Sequence, residues 1–146
     1  MTDRNGLPRG VRNHNPGNID RGRDRWRGMA DDQSGDPRFV VFTGPEWGIR
    51  AIVRVLRSYR DRHGLETVRA IVSRWAPPVE NPTARYIAFV CDRLGVDPDA
   101  PVDLDRPDVL RTLVRAIVRK ECGPGPLADG DWYPDAVLDE GIRRAG

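Results

Sequence analysis

The sequence predicts a mainly α fold with one small strand pair, and three observations lead there. Apolar residues recur at helical spacing in successive stretches after residue 43. Each stretch is bracketed by capping residues or by Gly and Pro. One short run, "RFVVF" at 38–42, has the β-branched and aromatic content of a strand. At 146 residues the chain suits one domain, 1–146, with residues 1–9 expected to be flexible.

The elements follow in order. The "DRWRGM" stretch at 24–29 is placed to pair with 38–42 as a small hairpin or ribbon. "TGPEWGIRAIVRVLRSYRDRHG" opens a long helix, with Thr43 and Glu46 in a capping-box pattern. Ile49, Ile52, Val53, Leu56 and Tyr59 form its buried stripe, and Gly64 is its left-handed cap. Val68, Ile71, Val72 and Trp75 mark a second helix, stopped by Pro77 and Pro78. Asn81 and Pro82 open a third, with Asn81 as N-cap, running through Tyr86, Ile87, Val90 and Leu94 to Gly95. Asp105 is expected to cap a fourth, whose stripe is Leu110, Leu113, Val114, Ile117 and Val118. "ECGPGP" breaks it. A last helix follows Pro134 and carries Val137, Leu138 and Ile142.

Composition narrows the function. No apolar run approaches the ~18 residues of a membrane span, and the first residues lack the apolar segment of a signal peptide. The product is therefore expected to stay in the cytoplasm until lysis or a virion carries it to its target. Two cysteines, Cys91 and Cys122, make no disulfide framework, and with His14 and His63 they show no zinc spacing. No Gly-rich loop follows a strand, so no nucleotide and no cofactor is expected. Net charge is only +2. The arginines at 21, 23, 25 and 27 alternate with Asp20 and Asp24, which reads as a mixed-sign solvated segment, so nucleic acid is not an expected partner. A monomer is expected.

Three places hold candidate chemistry. Glu121 ends a strongly apolar helix just before a sharp break. There its carboxylate faces the negative end of the helix dipole, and partial burial adds desolvation. Both raise the pKa of a carboxyl group, the condition for a general acid near neutrality. The plainer alternative is a solvated Glu beside Lys120. In "WAPPVENPTARYIAFV", Glu80, Asn81 and Thr83 lie at a helix start and Tyr86 lies a turn or two in; taken alone, capping by Asn81 and core packing of Tyr86 account for this stretch better than a binding role does. In "RNHNPGNI", Asn13, Asn15 and Asn18 exceed what one turn requires, although Asn also serves irregular backbone. Amides and the nearby Trp26 suit a polymer rich in hydroxyl and acetamido groups.

Taken together, "GVRNHNPGNI" and "RWAPPVEN-T--Y" resemble the phage and prophage virion-associated proteins that open with G-[IV]-R-N-N-N-P-G-N-[IL]. The match runs over about residues 10–145, with His14 where the pattern has Asn. That family is similar to lysozyme-like peptidoglycan hydrolases and lytic transglycosylases. "VENPTARYIAFV" resembles the E-T-x-x-Y-V-x-x-V segment of transglycosylases, while the helix ending in Glu comes last instead of first. The resemblance implies a lysozyme-like helical domain with a small β-hairpin, circularly permuted. It implies a phage-encoded enzyme that cleaves peptidoglycan glycan strands. Glu121 and Tyr86 would be catalytic, and Asn13, Asn15, Asn18, Trp26, Glu80, Asn81 and Thr83 would bind substrate. A non-catalytic virion or glycan-binding protein on the same scaffold is the rival reading.

Overall fold

A computed structural model describes residues 6–77 and 82–146. Among the described residues there are six helices: α1 (Arg9–Arg12), α2 (Pro45–His63), α3 (Val68–Trp75), α4 (Thr83–Leu94), α5 (Pro107–Cys122) and α6 (Asp135–Ala145). The last five are the helices that the apolar spacing predicts; α1 carried no such signal. The expected stripes are the core. Ile49, Ile52 and Leu56 of α2 meet Ile71 of α3, Val90 of α4, Leu113 and Ile117 of α5 and Leu138 of α6 in one buried cluster. Helix α2 packs chiefly on α6, and α4 on α5. No helix among the described residues is long and apolar enough to cross a membrane.

Gly64 and Gly95 end α2 and α4 in left-handed geometry, with φ of 65° and 67°, as their positions predict. The expected starts are corrected. Thr43 does not cap α2: Gly44 is the N-cap without a side-chain bond, and the Thr43 hydroxyl donates instead to Gly28 O at 3.1 Å. Arg106, not Asp105, precedes α5, and Asp105 accepts from Arg60 at 3.0 Å. In both cases a partner distant in sequence takes the capping group. Asn81, the expected cap of α4, lies outside the described residues, and Pro82 stands at the N-cap.

Of the expected hairpin or ribbon, the structure has an irregular antiparallel ribbon in place of a regular hairpin ladder. Only isolated bridges, Asp20 to Phe39 and Met29 to Phe42, join it. The reason is that side-chain amides occupy ladder positions. Asn15 Nδ2 donates to Val40 O at 2.9 Å, and Gln33 both donates to Val41 O and accepts from Val41 N. Asn13 O accepts from Phe42 N at 2.9 Å. A continuous ladder has no room where two amide side chains already satisfy the strand.

At the centre of this front half stands Asp36, whose side chain has no exposed surface. Arg9 Nε and Nη2 donate to it at 2.5 and 2.6 Å, Arg12 Nη2 at 3.1 Å and Asn13 Nδ2 at 2.8 Å. The backbone N–H groups of Arg38 and Phe39 add two more bonds at 2.8 Å. Arg9, expected to belong to a flexible start, is thus fixed to the ribbon. The Asparagine loop in turn lies tightly on α2: a Cβ at Gly48 would stand 2.0 Å from His14 O, so only glycine allows the approach.

The Arg9 guanidinium, with the backbone and Asn13 donors, holds the Asp36 carboxyl well below the usual carboxylate range. A depressed folded-state pKa contributes stability above the unfolded value of about 3.9 that is lost as pH falls below it. Thermal melts should therefore show stability declining on acidification below about pH 5. Asp36→Asn leaves two guanidiniums facing a neutral group and should cost about 3–5 kcal/mol at neutral pH, with a flatter acid limb. A variant that melts within a degree of wild type at both pH values would refute the role.

Candidate active site

The C-terminal turn of α5 brings Glu121 to the surface beside the asparagine loop. Asn18 Nδ2 donates to Glu121 Oε1 at 3.2 Å, and the Tyr86 hydroxyl donates to Glu121 Oε2 at 3.2 Å. Residues 18, 86 and 121 come from three separate segments. Asn18 reaches the carboxylate through a left-handed backbone, φ 50°, which Asn tolerates better than most residues. Its Oδ1 is buried with no hydrogen-bond partner among the described residues. A Cβ at Gly10 would stand 2.8 Å from that oxygen and 3.1 Å from Cys122 Sγ, so the glycine lets α1 close over the loop.

Two open grooves, of about 720 and 390 Å³, both include Asn18, Phe39 and Glu121 in their walls. The carboxylate thus stands at a shared waist, with room on each side for a chain-like ligand. The larger groove carries Tyr59 and Trp75, in edge-to-face contact with centroids 6.4 Å apart, and Arg74 lies 5.3 Å above the Tyr59 ring. Phe39 is flanked by the guanidiniums of Arg9 and Arg38 at 4.4 and 4.9 Å. Aromatic faces with adjacent cations and a carboxylate can stack on sugar rings and hydrogen-bond their substituents.

Burial pushes the Tyr86 phenol well above its ordinary value, and the adjacent Glu121 charge and hydrogen bond act the same way. Tyr86 is therefore a neutral donor through the whole working range. Lys120 Nζ sits 5.9 Å from the Tyr86 ring centre. The Cys122 thiol is pushed up to about 12, chiefly by burial and then by Glu121, and it donates to Pro16 O at 3.5 Å. It is a packing group and not a nucleophile.

Of the residues singled out in the sequence, Glu121, Tyr86 and Asn18 come together. The others among the described residues do not join them. Asn13 is 2% exposed and bonds Asp36; Asn15 is fully buried and bonds Ile19 and Val40. Both amides are consumed by the ribbon, which corrects their reading as glycan contacts and leaves Asn18 alone of the three. Thr83 is buried and donates to Ala76 O at 2.7 Å, tying α4 to the end of α3. Trp26 packs behind the ribbon with Val40 and Phe42 and lines a different groove. Glu80 and Asn81 lie outside the described residues. Sequence reasoning missed Asp20, which shares the larger groove with Glu121 and accepts from Arg38 at 2.7 Å, and the aromatic wall of Tyr59 and Trp75. Trp75 at a helix end before two prolines was the available signal.

All three phenols are raised by burial: Tyr59, Tyr86 and Tyr133. A raised folded-state pKa means that stability is lost as pH climbs past the unfolded value of about 10. An alkaline titration should show almost no phenolate band at pH 10, followed by joint loss of helix and appearance of phenolate. Half-ionised tyrosine at pH 10 in a protein with intact helical circular dichroism would contradict this account of the site.

No family model matches the chain. A phage protein does: over 128 residues the chain is 37% identical to Protein P5 of Pseudoalteromonas phage PM2, covering 86% of this chain and 78% of that protein. At that identity and coverage, the chain belongs to the family of phage PM2 Protein P5.

Proposed function

We propose that the chain is a phage-encoded glycosidase that cleaves peptidoglycan strands, with Glu121 as its general acid, on a lysozyme-like domain of permuted order. The observation that supports this reading is the convergence of Asn18 and Tyr86 on Glu121 at the waist of two open grooves. A linear glycan would cross the carboxylate, with sugars on either side. Protonated Glu121 donates to the bridging oxygen as the anomeric C–O bond breaks. The sugar's own primary hydroxyl then closes on the anomeric carbon, and its proton returns to Glu121. The product is an anhydro sugar and no water is consumed. Tyr86, held neutral, orients the carboxyl and donates toward charge that develops beside it. Asp20 is the second carboxylate of the larger groove, and it is ion-paired with Arg38 of the same groove. That favours the route needing one acid over hydrolysis by a carboxylate pair.

A second reading, a non-catalytic protein of the phage particle on the same scaffold, is supported by the kinship with phage PM2 Protein P5.

Mass spectrometry of purified peptidoglycan after digestion separates them. Anhydro-muramic ends are the expected products; reducing muramic ends would mean hydrolysis. No product from folded protein would leave the non-catalytic reading. Glu121→Gln preserves shape and removes the transferable proton, so turnover should fall by about 10²–10⁴-fold. Tyr86→Phe should slow turnover with little change in melting temperature, because the ring packing is kept. Clearance by Glu121→Gln within about twofold of wild type would remove Glu121 from the mechanism.

A further inference from the structure

A third groove, of about 430 Å³, shares no lining residue with the two at Glu121. One wall is the segment carrying Arg25, Trp26 and Arg27. The other is a single stripe of α2, in which Arg50, Arg54, Ser58 and Arg62 follow one another four residues apart. Such a stripe runs about 18 Å along one helix face. Asp24 is the one acidic residue in the lining.

Among the described residues none of these five arginines is ion-paired, whereas Arg9, Arg12, Arg38, Arg60 and Arg69 all bond carboxylates. Arg50 and Arg54 bond only backbone oxygens of α6, Arg144 O at 3.3 Å and Ala145 O at 3.4 Å, which fixes their direction without neutralising them. Burial and the charges of Arg27 and Arg54 lower the Arg50 pKa, so the groove works against its own charge. The alternation of Arg and Asp in the sequence suggested a neutralised segment. The fold undoes it, because Asp20 turns away to Arg38 and α2 supplies three further guanidiniums.

We propose that this groove binds the phosphodiester backbone of a single nucleic-acid strand, by charge and without sequence preference. Guanidinium groups match phosphate oxygens two at a time. A stripe of regularly spaced cations facing an aromatic ring between two arginines is the pattern of single-strand channels. A membrane surface fits less well. Binding there gains strength from apolar side chains that insert beside the charges, and Leu7 and Leu127, the exposed large hydrophobic residues among the described ones, line no part of this groove.

The test is fluorescence anisotropy with a labelled oligo-dT of about 12 nucleotides, titrated at several salt concentrations. Wild type should bind with strong salt dependence. Arg54→Gln with Arg62→Gln removes two exposed cations of the stripe. It should weaken binding roughly tenfold at low salt and flatten the slope of log K against log salt by about 1.4. Arg69→Gln with Arg106→Gln, which removes the same charge elsewhere, should bind as wild type, and melting curves of both double variants verify their folding. Equal loss in the two double variants would reduce the effect to net charge and overturn the proposal. So would absence of salt-dependent binding, tighter binding of the duplex form, or binding to anionic phospholipid vesicles in place of the oligonucleotide.

Discussion

The burial of the Asp36 carboxylate is the constraint on which the front half of the molecule depends. A carboxylate with no exposed surface is tolerated only when paired and fully hydrogen-bonded. Here two arginines, one amide and two backbone N–H groups supply those bonds. They come from α1, from the asparagine loop and from the ribbon. One ion therefore fixes three segments that have little apolar surface of their own. With α1 and the ribbon held together, Asn15 can act as a piece of surrogate backbone between Ile19 and Val40. Phe39 and Asn18 are then carried to the same place, beside the end of α5.

At that place the division of labour among the groups is set by charge. Glu121 supplies the carboxyl group. Tyr86 is held protonated by burial and by the neighbouring Glu121, and Cys122 is held as a thiol for the same two reasons. The surrounding cations lean on aromatic rings: Arg74 on Tyr59, and Arg9 and Arg38 on Phe39. The result is a carboxylate approached by neutral donors, in an open groove whose walls are flat and partly apolar. Such a surface suits a neutral, hydroxyl-rich chain better than an anionic one, and the arginine-lined groove behind the ribbon has the opposite character.

The helices were legible because their signal is local. Apolar period and the glycines at 64 and 95 specify α2 through α5 with no knowledge of the partner face. What failed were groups with a choice of partner. Thr43 and Asp105 sit where caps belong, and each found a stronger partner far away in sequence, Gly28 O and Arg60. The asparagines were recognisable as too many for a plain turn, but an amide that reads a sugar and an amide that completes a β ribbon look alike in sequence. Asp36 had no signal, being one Asp among several in a polar stretch. Trp26 was singled out by its nearness to the asparagine loop along the chain, whereas the fold brings Trp75 to Glu121's groove and turns Trp26 away. The position of Glu121 at the end of α5 was legible because it combines two physical marks, an apolar helix and an abrupt stop.

The order of the parts along the chain has a thermodynamic consequence. Asn18 and Glu121 are 103 residues apart, so their contact exists only when the first and last parts of the chain have met. The apolar cluster of α2 to α6 does not need that meeting, since its members pack on one another across the back of the molecule. The front half is joined to it through polar bonds, the close approach at Gly48, the partly buried Val11 and Ile19, and the small cluster of Val40, Phe42 and Ala51. Such a segment opens at a lower free-energy cost than the helical core. Opening would uncouple Asn18 from Glu121 while Tyr86, rooted in the core, stayed in place. Glu121 and Tyr86 thus belong to the stable unit and the loop that carries Asn18 to the weaker one, so conditions that protonate or break the Asp36 centre dismantle the groove before they unfold the helices.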